Sequence, residues 1–169
     1  MVSAQYFTGT DYLLSLPVIL LTLFALGILL IDLMVPPEWK WTNALTAFIG
    51  VLFAAAGLAR IQFAQAELLQ HGQRLEWGFM HVMVMDHFAI YFTYLFLAGT
   101  AVAILMSVRY LEIEHEHHGE FYALMLFSVV GMICMASGYD VVLIFIGLEL
   151  MAISTYVLVG FLRTDRRSN

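Results

Sequence analysis

Long stretches of apolar residues are the feature that most constrains this sequence. A helix of about 20 apolar residues crosses the ~30 Å hydrocarbon layer of a bilayer. One such stretch can be a buried helix of a soluble domain, but several together cannot be explained in that way. The chain is 62% hydrophobic and 12% charged, whereas roughly a quarter of the residues of a soluble domain are charged. The sequence therefore predicts an all-α polytopic membrane protein in which residues 1–169 form a single membrane domain.

Turn-forming and interfacial residues divide the apolar sequence into about five transmembrane helices. Pro36-Pro37 ends the first helix, and tryptophan and basic residues border the second. Residues 137–140 divide the last apolar stretch, which is too long for one crossing. The predicted spans are residues 13–35, 41–59, 88–108, 121–136 and 141–162.

Two polar segments separate the predicted spans. Residues 60–87 form the larger one, and the alternating pattern of Leu75 to Asp86 predicts a short extramembrane hairpin. The second segment contains His115, His117 and His118 among glutamates. A transition metal is one possible ligand, but neither helical nor strand spacing brings all three imidazoles onto one face. We therefore interpret this segment as a solvated loop.

The basic residues predict the orientation in the membrane. Of the seven lysine and arginine residues, two lie on one side, Arg60 and Arg74, and five on the other. The positive-inside rule then places the N-terminus outside and the C-terminus in the cytoplasm. The net charge of -6, without a basic cluster before the C-terminal tail, argues against nucleic acid as a partner. The lipid bilayer is the expected surrounding.

One carboxylate, Glu149, lies near the middle of the last predicted span, ~12 Å along the helix from its start. An acidic residue at the centre of a membrane helix costs about 2.5 to 3.5 kcal/mol and is typical of ion or proton pathways. The side chains one turn away on the same helix are apolar. Glu149 is therefore either a neutral acid or a carboxylate paired with a cation from elsewhere. A third reading is a carboxyl that only hydrogen-bonds neighbouring helices.

Other polar and small residues in or near the spans predict structural roles. We expect Asp32 to lie at the membrane border, Asp140 to cap the last helix, and Asp86 to open the third span in the same way. The single cysteine, Cys134, is expected to be a small buried residue, because no disulfide or cysteine-based metal site can form from it alone. Residues suited to close helix packing or to hydrogen bonds between helices are Gly131, Ala136, Gly147, Ala152, Gly160, Ser128, Ser154 and Thr155.

Several segments together resemble the antiporter-like membrane subunits of NADH-quinone oxidoreductase, or respiratory complex I. The resemblance covers the chain from Leu13 onward. The segments that carry it are 85–89 (MDHFA), 108–111 (VRYL), 119–128 (GEFYALMLFS), 131–132 (GM), 135–137 (MAS), 146–150 (IGLEL) and 156–161 (YVLVGF).

The resemblance implies a proton-translocating subunit that couples electron transfer from NADH to quinone to proton movement across the bacterial inner membrane. By motif position, Glu149 is the acidic member of a Glu-Lys pair in the proton channel. The lysine belongs to a later helix, so the chain is expected to be an N-terminal fragment whose last two spans begin the first inverted repeat.

The same resemblance implies the cofactors and partners. NADH, quinone, FMN and iron-sulfur clusters belong to the wider complex, none is bound by this chain, and the partners are other membrane subunits of the complex. The fragment alone is expected to be inactive. The alternatives are a subunit of a related multisubunit cation/proton antiporter or membrane-bound hydrogenase, and a scaffold subunit that does not conduct protons.

Overall fold

A computed structural model describes residues 9–34, 36, 40–70, 76–114 and 119–161. In these ranges the backbone forms six helices and one two-stranded antiparallel sheet. In chain order the elements are α1 (Gly9–Leu14), α2 (Leu16–Met34), α3 (Trp41–Gln70), β1 (Trp77–Gly78), β2 (Met83–Val84), α4 (His87–Glu114), α5 (Gly119–Ser137) and α6 (Val141–Val159).

Helices α2 to α6 are each long and apolar enough to cross a membrane. This confirms the prediction of an all-α polytopic membrane protein with about five spans. Neighbouring spans run in opposite directions, so the β-hairpin lies at the same end of the bundle as the connection between α5 and α6.

The helix α3 continues past residue 59, the predicted end of the second span, to Gln70. Its apolar stripe does not stop at Arg60: Ile61 is fully buried, and Ala64 and Leu68 pack against the same cluster of buried residues. A single arginine marks where a helix leaves the hydrocarbon layer, but it does not end the helix. The helix α4 likewise continues past Arg109 to Glu114.

The other span limits differ by a few residues. The first predicted span is interrupted at Ser15, which separates α1 from α2 and whose hydroxyl donates to the carbonyl of Asp11 at 2.9 Å. The helix α5 begins at Gly119 instead of 121, and α6 ends at Val159. Gly160 closes α6 by donating its N–H to the carbonyl of Tyr156 at 3.2 Å. Among the described residues, a Cβ at Gly160 would have only the carbonyl oxygens of Tyr156 and Val157 within 4 Å, so the expected role of this glycine in packing against another helix is not found.

The central helix is α5, which packs against α2, α3, α4 and α6. Its contact with α6 is close enough to exclude side chains. A Cβ atom at Gly131 would lie 2.5 Å from the carbonyl oxygen of Gly147, and one at Gly147 would lie 2.8 Å from that of Gly131. The predicted role of these two glycines is confirmed, and close approach of this kind is how helices associate in lipid.

The predicted hairpin is also confirmed. Trp77 pairs with Val84 and Gly78 with Met83. Three successive residues of the turn, Phe79, Met80 and His81, have positive φ angles of 50°, 54° and 74°. This backbone costs an L residue roughly 1 to 2 kcal/mol at each position, so the turn has to be held by contacts from the rest of the protein.

Candidate functional site

The last span, α6, begins at a well-defined cap. Asp140 has extended backbone angles and its carboxylate accepts a hydrogen bond from the N–H of Val142 at 3.0 Å. This satisfies one of the N–H groups left free at a helix start and places a negative charge at the positive end of the helix dipole. The predicted cap is confirmed, and the start of α6 is fixed.

Glu149 lies in the middle of α6, about 13 Å along the helix from Asp140 at the usual rise per residue. Its side chain is exposed, on the face of α6 that carries Phe145, Ile146 and Ile153, which are themselves 56–60% exposed. The carboxyl therefore points away from the helices that the structure describes, from within an apolar surface. Such a surface is expected to meet lipid or another membrane helix.

Within the described ranges, no hydrogen bond or ion pair reaches Glu149. The lysine and arginine residues of those ranges are Lys40, Arg60 and Arg109, and none of them lies on α5 or α6. Lys40 is close to another acid, Asp32, at 4.0 Å. A charged Glu149 in the bilayer would need a cation that this part of the chain does not supply.

The two last spans also differ in how much of their surface is buried. Half of the apolar window of α5 is buried, but only 11% of that of α6. Across their contact, Ser128 and Thr155 place their hydroxyl oxygens 3.4 Å apart, which confirms the predicted polar contact between these helices. The helix α6 therefore has one covered side, against α5, and one open side that carries Glu149.

A second polar cluster lies at the other end of the bundle. Asp32 on α2 accepts a hydrogen bond from the side-chain amide of Asn43 on α3 at 2.5 Å. Asn43 is 1% exposed, and its Oδ1 has no partner within the described part of the chain. Gly119 at the start of α5 packs so closely that a Cβ there would lie 2.6 Å from the Cβ of Asp32. Asp32 therefore joins three helices in addition to lying at a helix end.

Of the remaining residues singled out from the sequence, some lie within the described part of the chain and others do not. Asp86 accepts a hydrogen bond from the N–H of Ala89 at 2.8 Å and caps α4, as expected. Cys134 is partly buried and packs against the main hydrophobic cluster. His115, His117 and His118, and the C-terminal arginines, lie outside the described residues. Among the residues that are described, no group of three or more His, Cys, Asp or Glu side chains is placed to bind a metal ion.

Sequence reasoning missed two buried polar side chains that form hydrogen bonds between different parts of the fold. Asp11 is 6% exposed and its carboxylate accepts a hydrogen bond from the N–H of Phe79 at 2.7 Å. Asn43 is the other. Asn43 could have been identified from the sequence, since it is an isolated amide in the first turn of an apolar span. The sequence around Asp11 does not indicate its role, because its hydrogen-bond partner is 68 positions away in the sequence.

These features define a class: a polytopic helical membrane protein with an acidic side chain at mid-span. No model of a known protein family matches the chain. Individual proteins do match. The chain is 55% identical over 95% of its length to NADH-quinone oxidoreductase subunit N 1 of Koribacter versatilis. It is 40% identical over 97% to subunit N 2 of Solibacter usitatus, and 36% identical over 98% to subunit N of Trichlorobacter lovleyi.

The chain belongs to the family of NADH-quinone oxidoreductase subunit N. It spans about a third of the length of these relatives, covering 31%, 33% and 32% of them. These matches confirm the family resemblance that the sequence segments indicated.

Proposed function

We propose that this chain is part of a proton-translocating membrane subunit of an NADH-quinone oxidoreductase, and that Glu149 is a proton-carrying carboxyl of its channel. The observation that carries the proposal is the position of Glu149. It lies in the middle of α6, exposed on the open side of that helix, with no basic partner on α5 or α6. The names of the relatives, all subunits of this oxidoreductase, supply the reaction.

The physical reason is the high free energy of an isolated charge in the bilayer. A carboxyl with no cation nearby favours its neutral, protonated form, and a cation close by favours the ionised form. A side chain that can take either form as its surroundings change can accept and release a proton. We propose that the cation belongs to residues of the full-length subunit outside these 169, placed against the open side of α6.

We also propose that the redox groups of the reaction reside in other subunits and that this chain contributes only to the proton path. Its partners would be the other membrane subunits of the complex. The last two spans, α5 and α6, would begin the first repeat of the antiporter-like unit. The N-terminus would face the periplasm and the C-terminus the cytoplasm of a bacterial inner membrane, which a reporter fused after Asn169 tests directly by the side on which it is active.

The test of the proposed role is Glu149→Gln in the intact complex. Glutamine keeps the size and hydrogen-bonding shape of the protonated acid but cannot release a proton. The rate of proton translocation driven by NADH, measured in inverted membrane vesicles, should fall about tenfold or more, since a positioned proton-transfer group contributes at least that factor to a rate. The matched control is Glu67→Gln, an exposed acid near the end of α3. Normal translocation by an assembled Glu149→Gln complex would instead indicate a scaffold subunit.

A further inference from the structure

The hairpin touches the connection between α5 and α6 through its backbone. The carbonyl of Val82 accepts hydrogen bonds from the N–H groups of Tyr139 and Asp140, at 2.9 and 3.2 Å. Met83 forms a β-bridge with Gly138. These contacts hold the three residues that immediately precede the first residue of α6, one of which is its N-cap.

An aromatic contact supports the same connection. The indole ring of Trp77 meets the ring of Tyr139 edge-on, with centroids 4.9 Å apart and an interplanar angle of 84°. Edge-to-face pairs at this separation are favourable beyond the area they bury. The hairpin therefore contacts the connection through both backbone and side chains.

The hairpin is in turn held by Asp11 of α1. The carboxylate of this buried residue accepts a hydrogen bond from the N–H of Phe79 at 2.7 Å. Phe79 is the first of the three successive residues with positive φ. Gly78 beside it lies close to α1, since a Cβ there would be 3.5 Å from the carboxylate oxygen of Asp11. A backbone of this kind persists only where its surroundings determine it, and Asp11 is one of the groups that do so.

We propose that Asp11 is a positioning residue for Glu149, acting through a hairpin clamp. The clamp consists of Asp11, the hairpin 77–84 and the connection 138–140. Among the described helices, α6 packs mainly against α5, and the clamp is a further contact, at the N-terminal end of α6, that helps to set the depth and rotation of this helix. Each residue by which the helix start shifts turns the helix by about 100° and moves it ~1.5 Å. Glu149 would then turn away from the cation that we propose it faces.

This inference rests on the proposed function of Glu149, and its test separates the two. The variant Asp11→Ala removes the acceptor for Phe79, whereas Asp11→Asn retains a side-chain oxygen that can accept the same hydrogen bond. Each is examined in the intact complex, with assembly checked by native electrophoresis. The first readout is the rate at which a hydrophobic carbodiimide modifies Glu149, followed by mass spectrometry of its peptide. This reagent reacts with protonated carboxyls.

In Asp11→Ala, Glu149 should spend more time away from its cation and more time protonated. We expect carbodiimide modification about threefold faster or more, and NADH-driven proton translocation slower by a similar factor, because small displacements of a reacting group have large effects on rate. Asp11→Asn should restore both values most of the way. The matched control is Asp86→Ala, which also removes a carboxylate bonded to a backbone N–H, but one that caps α4. It should leave both values unchanged.

A second variant covers the case in which Asp11→Ala does not assemble. Trp77→Leu removes the ring contact with Tyr139 from a side chain that is 41% exposed, so it leaves no buried polar group unpaired. We expect the same direction of change, about twofold in the modification rate, because the ring contacts of Trp77 are lost but the backbone hydrogen bonds between the hairpin and the connection remain.

If an assembled Asp11→Ala complex has the wild-type rate of Glu149 modification and wild-type proton translocation, the clamp does not position Glu149 and the proposal is wrong. If Asp11→Ala does not assemble, wild-type values for both in the Trp77→Leu complex lead to the same conclusion. If Glu149→Gln abolishes translocation in that experiment, the proposed function stands without the clamp. If Glu149→Gln translocates normally, the proposed function itself fails, whatever the modification rates show.

Discussion

The side-chain amide of Asn43 donates a hydrogen bond to the carboxylate of Asp32, which joins the first turn of α3 to the last turn of α2. The start of α5 packs against the side chain of Asp32 so closely that there is no room for a side chain at Gly119. Three helices therefore meet around one pair of polar side chains. Buried polar groups stabilise a structure only when their hydrogen bonds are made, so the pair should be sensitive to the loss of either member.

Asp32→Ala should destabilise the protein by about 1 to 3 kcal/mol, the usual cost of leaving a buried donor without an acceptor. The amide of Asn43 is 1% exposed, so water cannot replace the lost oxygen easily. The measurement is the thermal denaturation of the full-length protein in detergent. The control, Asp32→Asn, keeps an acceptor but weakens the attraction to Lys40.

The distance between Lys40 Nζ and Asp32 is 4.0 Å and both side chains are partly exposed, so the ion pair should contribute at most about 1 kcal/mol. We therefore expect Asp32→Asn to be clearly more stable than Asp32→Ala. Equal losses in the two variants would mean that the charge of Asp32, and not its hydrogen bond with Asn43, stabilises this end of the bundle.

Gly131→Ala should weaken the contact between α5 and α6. The added methyl group would lie 2.5 Å from the carbonyl oxygen of Gly147 and 2.7 Å from the backbone N of Met151. Backbone atoms cannot turn aside as a flexible side chain can, so the two helices have to separate. Overpacking of this kind costs about 1 to 3 kcal/mol, which the same thermal denaturation would detect.

The matched control for that change is Gly99→Ala on α4. A Cβ at Gly99 would meet no atom within 4 Å, and alanine is more favourable than glycine within a helix by up to about 1 kcal/mol. Gly99→Ala should therefore be neutral or slightly stabilising. A comparable loss of stability in both variants would show that the helix contact at Gly131 is not the cause.

The existence of the five spans could be predicted because it depends on composition. A stretch of apolar residues long enough to cross the bilayer is visible in the sequence whatever it packs against. The ends of α3 and α4 could not be placed in this way. Residues beyond Arg60 stay helical because Ile61 and Leu68 pack in the cluster that includes Met83 and Met85, and those partners are brought there by the fold.

The candidate site shows the same limit. Glu149 was found from its position in an apolar helix and from the absence of polar residues one turn away. The residues that fix the start of its helix are distant in sequence: Val82 contacts Tyr139, and Asp11 contacts Phe79. Contacts of this kind depend on how hairpin and helices pack, and local patterns do not encode them.

Asp140→Ala should destabilise the start of α6. The carboxylate of Asp140 bonds to the N–H of Val142 at 3.0 Å, and replacing an N-cap aspartate by alanine costs about 0.5 to 2 kcal/mol. Asp140→Ser is the control, because its hydroxyl can accept the same hydrogen bond without the charge. Thermal denaturation should rank the wild type first, Asp140→Ser next and Asp140→Ala last. If the serine variant is no more stable than the alanine variant, the favourable interaction of the charge with the helix dipole, and not the hydrogen bond, is what Asp140 contributes.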